Sequence, residues 1–336
     1  NLYHQGKLKS ALYRVSKLLE RFPKATSLHN LCGLVYFGLK NYDAAIKSFN
    51  QVIKIRPNTF EAYLNRGNAQ KANVNLDGAV TSYRKAININ PNFAQAYNNI
   101  GIILSEKDDT QGAIKNFLLA IKANPRFMEA YENAGAFLKN KVFRKPNADA
   151  LELISYLIKQ PTSIRPRDMA PAALSLLKLD MLFLEAVKGF TPRMKVQELH
   201  SNVRQLISTD ILTEFMTVCP IPDIELERLF TTIRHNLLLS LQEDSFPQET
   251  LPFLTALACQ CFINEYLYNE TEEEAKALKA METIVKQDLE EGKQPSPQVV
   301  LLLASYSPLN NYEWHGLLHT TRAINEVYIR QVQEPK

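Results

Sequence analysis

Residues 58–91 read NTFEAYLNRGNAQKANVNLDGAVTSYRKAININP, and the 34 that follow, residues 92–125, read NFAQAYNNIGIILSEKDDTQGAIKNFLLAIKANP. Laid over one another, they agree at Tyr63 and Tyr97, Gly67 and Gly101, Ala79 and Ala113, Tyr83 and Phe117, and Pro91 and Pro125. The register runs on in both directions. Glycines stand at Gly33, Gly67, Gly101 and Gly135, prolines at Pro23, Pro57, Pro91 and Pro125, and alanines at Ala11, Ala45, Ala79 and Ala113. Aromatics recur at Phe49, Tyr83 and Phe117, and again at Tyr63, Tyr97 and Tyr131. Several ladders sharing one period and one register mark a repeated structural unit.

The ladders have physical reasons if each unit is a pair of helices, A then B. The tyrosine four residues before the glycine lies on the same face of helix A, one turn back. Glycine on A and alanine twelve residues later on B let the two helices approach closely, and the aromatic four residues further on fills the space between neighbouring units. Proline after helix B stops it and opens the next unit. The pattern is identified as that of the tetratricopeptide repeats (TPR), whose units stack into a superhelical solenoid with a concave groove. Complete units are expected at 24–57, 58–91 and 92–125, with a diverged unit at 126–160. Residues 7–22 read as a helix B without its helix A, so the chain is expected to begin inside a repeat and to be a fragment of something longer.

Helix A lines the concave face of such arrays. Two residues before the glycines stand Asn65, Asn99 and Asn133; Asn68 follows Gly67, and Asn30 and Asn98 precede their glycines by three. Asparagine is a poor helix former, so three of them at one spacing ask for a reason. An amide both donates and accepts, and a ladder of amides can hydrogen-bond the backbone of an extended peptide. The ladder resembles the one in the superhelical TPR domain of the O-linked N-acetylglucosamine transferases. The other reading is that these amides tie neighbouring helices together. The binding positions are read as Asn65, Asn68, Asn99 and Asn133, flanked by Lys71, Gln95 and Asn98. A clamp for a C-terminal carboxylate, as in chaperone-binding relatives, would need cations on consecutive helices A. The inward positions instead hold Glu61, Leu64, Gln95, Asn98, Glu129 and Glu132.

Charge is split along the chain. Residues 1–145 carry 22 Lys+Arg against 9 Asp+Glu, a net +13, and residues 146–336 carry 17 against 26, a net −9. The lysines of the basic half are dispersed over turns and outward faces, without interleaved aromatics, so a solvated surface is expected and no nucleic acid. The chain holds eleven glycines and no two stand one residue apart. Phosphate-cradling loops need clustered glycines, which excludes a P-loop, a dinucleotide fingerprint and a methyltransferase cofactor loop within these residues. No membrane span, secretory signal, disulfide framework or bound metal is expected, and the four scattered cysteines fit a reducing, cytoplasmic setting.

From about residue 162 the period disappears. Pro161, Pro166 and Pro171 read as a linker, and apolar spacings of three and four predict helices at 170–188, 195–208, 210–218, 222–242, 248–268, 271–291, 295–305 and 311–332. Thr271 before Glu272, Glu273 and Glu274 is a helix start with a solvated acidic first turn. Asn264, Glu265 and Tyr266 read as a buried polar network at a helix end. His315 and His319, four apart beside Trp314, lack the glutamate of a metalloprotease helix and read as a packed pair.

The stretch from Phe253 to Ala258, Gln260 to Tyr266, Leu303 to Leu309, and Arg330 to Pro335 resembles the helical region of bacterial TPR-containing methyltransferases that use S-adenosylmethionine. That resemblance implies a methyltransferase domain beyond residue 336, with no cofactor held within this chain. The sequence reading is therefore an all-α chain: a TPR solenoid (1–160) and a compact helical domain (162–336). It is expected to bind a protein or extended peptide, as the recruiting part of a methyltransferase or as a stand-alone adaptor.

Overall fold

The computed structural model describes residues 6–160, 164–208, 210–240, 247–265, 270–319 and 321–333. By their internal contacts the residues fall into two units, Asn1–Phe137 and Leu138–Lys336. Among the described residues every regular element is helical.

The first unit is a succession of antiparallel helix pairs. It begins with a B helix, α1 (Leu8–Arg21), and continues through α2 (Thr26–Gly38), α3 (Tyr42–Ile55), α4 (Phe60–Ala72), α5 (Leu76–Ile89), α6 (Ala94–Glu106), α7 (Thr110–Ala123) and α8 (Met128–Leu138). Helices A are α2, α4, α6 and α8. A Cβ on Gly33 would lie 2.5 Å from the Phe49 ring, and one on Gly101 would lie 2.8 Å from that of Phe117; Gly67 meets Tyr83 in the same way. The B-helix aromatic therefore sits on the glycine of its own unit, and it also reaches the next one. Phe49 clusters with Ala69, and Tyr83 with Ala96, Ile100 and Ile103. Ala45, Ala79 and Ala113 are fully buried.

Two further ladders close each pair. Asn41, Asn75 and Asp109 cap the B helices, accepting from the backbone N–H groups of Ala44, Gly78 and Gly112 at 3.2, 2.9 and 2.9 Å. This satisfies donors that no helical carbonyl can reach. Just before them, Lys40, Val74 and Asp108 take left-handed backbone conformations with φ near +60°. None is glycine, so sequence alone gives little sign of this turn.

The second unit contains α9 (Ala148–Ile158), α10 (Pro166–Leu177), α11 (Met181–Lys188), α12 (Val196–Ile207), α13 (Asp210–Val218), α14 (Ile224–Ser240), α15 (Leu251–Ile263), α16 (Glu272–Glu290), α17 (Pro297–Ala304) and α18 (Arg322–Tyr328). Two expected helices are broken. The run 170–188 is interrupted at Asp180, whose carboxylate accepts from the N–H groups of Leu182 and Phe183 and starts a new helix. The run 311–332 is a 3-10 turn (His315–Leu317), then α18 behind its cap Thr321. Pro166 opens α10 rather than lying in a linker, since the first helical position has no use for an N–H. Pro171 lies inside α10. Pro161, Tyr266, Glu334 and Pro335 lie outside the described residues.

Candidate functional site

The asparagines expected on the helix A face are joined in pairs from one helix A to the next. Asn65 Nδ2 donates to Asn30 Oδ1 at 3.1 Å, Asn99 Nδ2 to Asn68 Oδ1 at 3.0 Å, and Asn133 Nδ2 to Asn98 Oδ1 at 3.1 Å. Four consecutive helices A are thereby stitched by side-chain amides, which is the helix-tying reading. Each of Asn65, Asn99 and Asn133 is half-buried. An amide offers two N–H donors and a carbonyl with two lone pairs, and one donor of each is spent on the stitch.

The other expected positions differ in kind. Asn68 accepts from both Asn99 and the Tyr83 hydroxyl, at 3.0 and 2.8 Å, so its carbonyl is filled. Burial pushes the Tyr83 phenol well above its ordinary pKa, which keeps it a donor to that carbonyl. Asn98, expected as a flanking contact, is fully buried: it holds Asn133 through Oδ1 and reaches Glu129 Oε1 at 3.4 Å through Nδ2. Gln95 is exposed at the start of α6, and Lys71 is half-buried at the end of α4.

Arg66, on α4, was not singled out by the spacing. Its Nε donates to Ser82 Oγ at 3.0 Å and its Nη1 to Asn50 Oδ1 at 3.1 Å, so it bridges the B helices on either side. Burial lowers its pKa.

The second unit holds a buried polar cluster where the sequence suggested a solvated acidic turn. Glu274 is 2% exposed. Its Oε2 accepts from the Thr271 N–H and hydroxyl in a reciprocal cap, at 2.8 and 2.9 Å, and its Oε1 accepts from the Tyr306 hydroxyl at 2.7 Å with His235 Nδ1 at 3.4 Å. Burial alone would raise its pKa. The Tyr306 hydroxyl, the Thr271 donors and the nearby His235 outweigh that and hold it below the usual carboxylate value. Arg234, 2% exposed on α14, stacks on the Tyr306 ring at 3.9 Å and donates to the Ser305 carbonyl at 3.2 Å.

Of the three residues expected to form a buried network, Asn264 is half-buried and Glu265 exposed, and the buried polar residue beside them is Gln260. With its amide turned to suit its neighbours, it donates to the Met216 and Cys219 carbonyls and accepts from Ile221 N–H and Asn264 Nδ2, all at 3.1 Å. His315 and His319 do not share a helix face: His315 lies in the 3-10 turn against the Tyr312 carbonyl, and His319 lies beyond it. Among the described residues no group of three or more His, Cys, Asp or Glu side chains could hold a metal ion. All four cysteines are buried, and burial pushes the Cys259 and Cys261 thiols up to about 12, so they are poor nucleophiles. A groove of about 1050 Å³ lies in this unit beside Thr213, Glu214 and Thr255, with Glu214 Oε1 paired to Lys159 Nζ at 2.6 Å. No described helix is long and apolar enough to cross a membrane.

Comparison with known families agrees with the repeat reading. Residues 33–74 and 75–108 match a TPR repeat model, and residues 94–127 match a tetratricopeptide repeat model. Residues 33–127 of this chain are tetratricopeptide repeats. The comparison with curated proteins gives no match. Among solved structures, MamA is similar at 22% identity and a TM-score of 0.40, over 46% of this chain and 88% of that one. YrrB, a TPR protein with an unusual peptide-binding site, is similar at 22% identity and a TM-score of 0.38, over 47% and 79%. A chain of the Naa15/Naa10 complex bound to HypK-THB is similar at 15% identity and a TM-score of 0.33, over 97% and 56%.

Proposed function

We propose that the repeats bind an extended protein segment along the helix A face, with Asn65, Asn99 and Asn133 hydrogen-bonding its backbone. The observation that carries this reading is the stitched ladder. Each amide is fixed in place by one bond to the preceding helix A and is only half-buried there, with Asn99 also hydrogen-bonded to the Tyr83 hydroxyl. A polar group held in advance loses little entropy when it binds, which favours such groups as ligand contacts. Tying helices and gripping a peptide are then two uses of one amide.

The chain acts in this reading as a recruiting scaffold. The finer idea, that it serves a linked methyltransferase, is supported only by the resemblance of residues 245–336. Replacing Asn65, Asn99 and Asn133 together by alanine is expected to abolish capture of a bound peptide. The cost in stability should be about 0.5–1.5 kcal/mol for each bond lost at Asn65 and Asn99, and about 1–3 kcal/mol at Asn133, whose removal takes its donor from the buried Asn98 carbonyl. Calorimetric titration beside a thermal melt checks both. Retained capture in a folded triple variant would refute the reading.

A further inference from the structure

The first 145 residues carry a net +13, which at face value suits an acidic partner. The helix A face has the opposite character. One turn before each ladder asparagine stands an acid or its amide: Glu61 before Asn65, Gln95 before Asn99 and Glu129 before Asn133. Residues four apart on a helix share a face, so this second ladder runs beside the first. All three are exposed. Their place beside the amides is fixed at one point, where the Asn98 side chain joins Glu129 to Asn133. Most of the cations lie elsewhere; of the two on α4, Arg66 is turned to Ser82 and Asn50 of the B helices, and Lys71 is half-buried at the helix's far end. Lys47, Lys54, Arg84, Lys85, Lys115 and Lys122 are all exposed on B helices.

We infer that the bound segment is a basic one, with lysine or arginine side chains directed at Glu61 and Glu129 while its backbone lies on the amides. The inference rests on the peptide-binding reading of the same face. Salt in the cell screens charges beyond about 8 Å, so the carboxylates next to the ligand outweigh the more distant lysines in setting preference. Charges of this kind at the edge of a contact act mainly on specificity and association rate.

Selection from a synthetic library of random extended peptides on the immobilised full chain tests this. Enriched peptides should carry several-fold more Lys and Arg than Asp and Glu, and the bias should weaken as salt is raised. The pair Glu61→Lys and Glu129→Lys lies on exposed positions, and its fold is checked by circular dichroism. It should reverse the bias toward acidic peptides. Acidic or charge-blind enrichment by the unaltered chain, or an unchanged bias in the double variant, would overturn the inference. The Asn65, Asn99 and Asn133 triple alanine variant separates the two claims. If it loses the peptides while charge proves irrelevant, the groove stands and the basic preference falls. If it keeps the same peptides, or if the unaltered chain enriches none, the groove reading falls as well.

Discussion

The two units are both built of helices, yet they specify their packing in opposite ways. In the repeats, closeness comes from small residues at fixed places: a glycine under an aromatic, and a buried alanine on the facing helix, again at every 34th position. Polar contacts are also repeated, as the asparagine stitches and the B-helix caps. The second unit has no such period and is pinned by single long-range polar contacts, such as Arg234 to Ser305 and Gln331 Oε1 to the Leu309 N–H at 2.9 Å. A periodic array presents one surface many times over and suits a long, regular ligand. A unit fixed by one-off buried polar groups gains a unique packing instead, and it is fragile wherever one such group is removed.

The comparison can be broken by matched core deletions. Tyr83→Ala and Arg234→Ala should each cost about 3–5 kcal/mol, the range for emptying a large buried side-chain site. Their reach should differ. Because a repeat touches only its neighbours, loss of hydrogen-exchange protection after Tyr83→Ala should stay within α4 to α7. After Arg234→Ala it should spread through α14 to α17. Equal spread in both would remove the distinction.

Acid should also separate the units. The Glu274 carboxyl is held below its ordinary pKa of 4.5, so its contribution to stability is present above that value and is lost as pH falls through the lowered, folded-state value. Denaturant melts from pH 5 downward should show the second unit weakening, and Glu274→Gln should flatten that limb. The smallest effect belongs to the repeats. Val74, 82% exposed at φ +60°, is a β-branched residue in the left-handed region. Val74→Gly should therefore raise stability by up to about 1 kcal/mol, because relief of strain exceeds the entropy glycine adds to the unfolded chain.

Much of the first unit was legible because 34-residue spacing is a global signal that survives errors at single positions. The glycine, alanine and aromatic roles followed from it, and so would the Asn41, Asn75 and Asp109 caps. The turns at Lys40, Val74 and Asp108 were not legible, since their left-handed backbone lacks the glycine that usually announces it. In the second unit, apolar spacing located most helices but not their breaks. Asp180 and Thr321 start new helices by local capping, against an apolar rhythm that runs on through them. Glu274 looked solvated because it follows two exposed acids. Its burial depends on Tyr306 and His235, distant residues that no local pattern brings together. The ladder residues were found, yet spacing alone could not show that Asn98 lies wholly inside while Asn99 beside it does not.

The central claim is that the stitched amides of helices A contact a bound chain. It is tested most directly by following the side-chain amide NMR signals of Asn65, Asn99 and Asn133 while a library-selected peptide is added. The account predicts saturable shifts in all three, with the second unit unmoved. Shifts confined to the groove beside Thr213, Glu214 and Thr255, with the ladder signals unchanged at saturation, would contradict it.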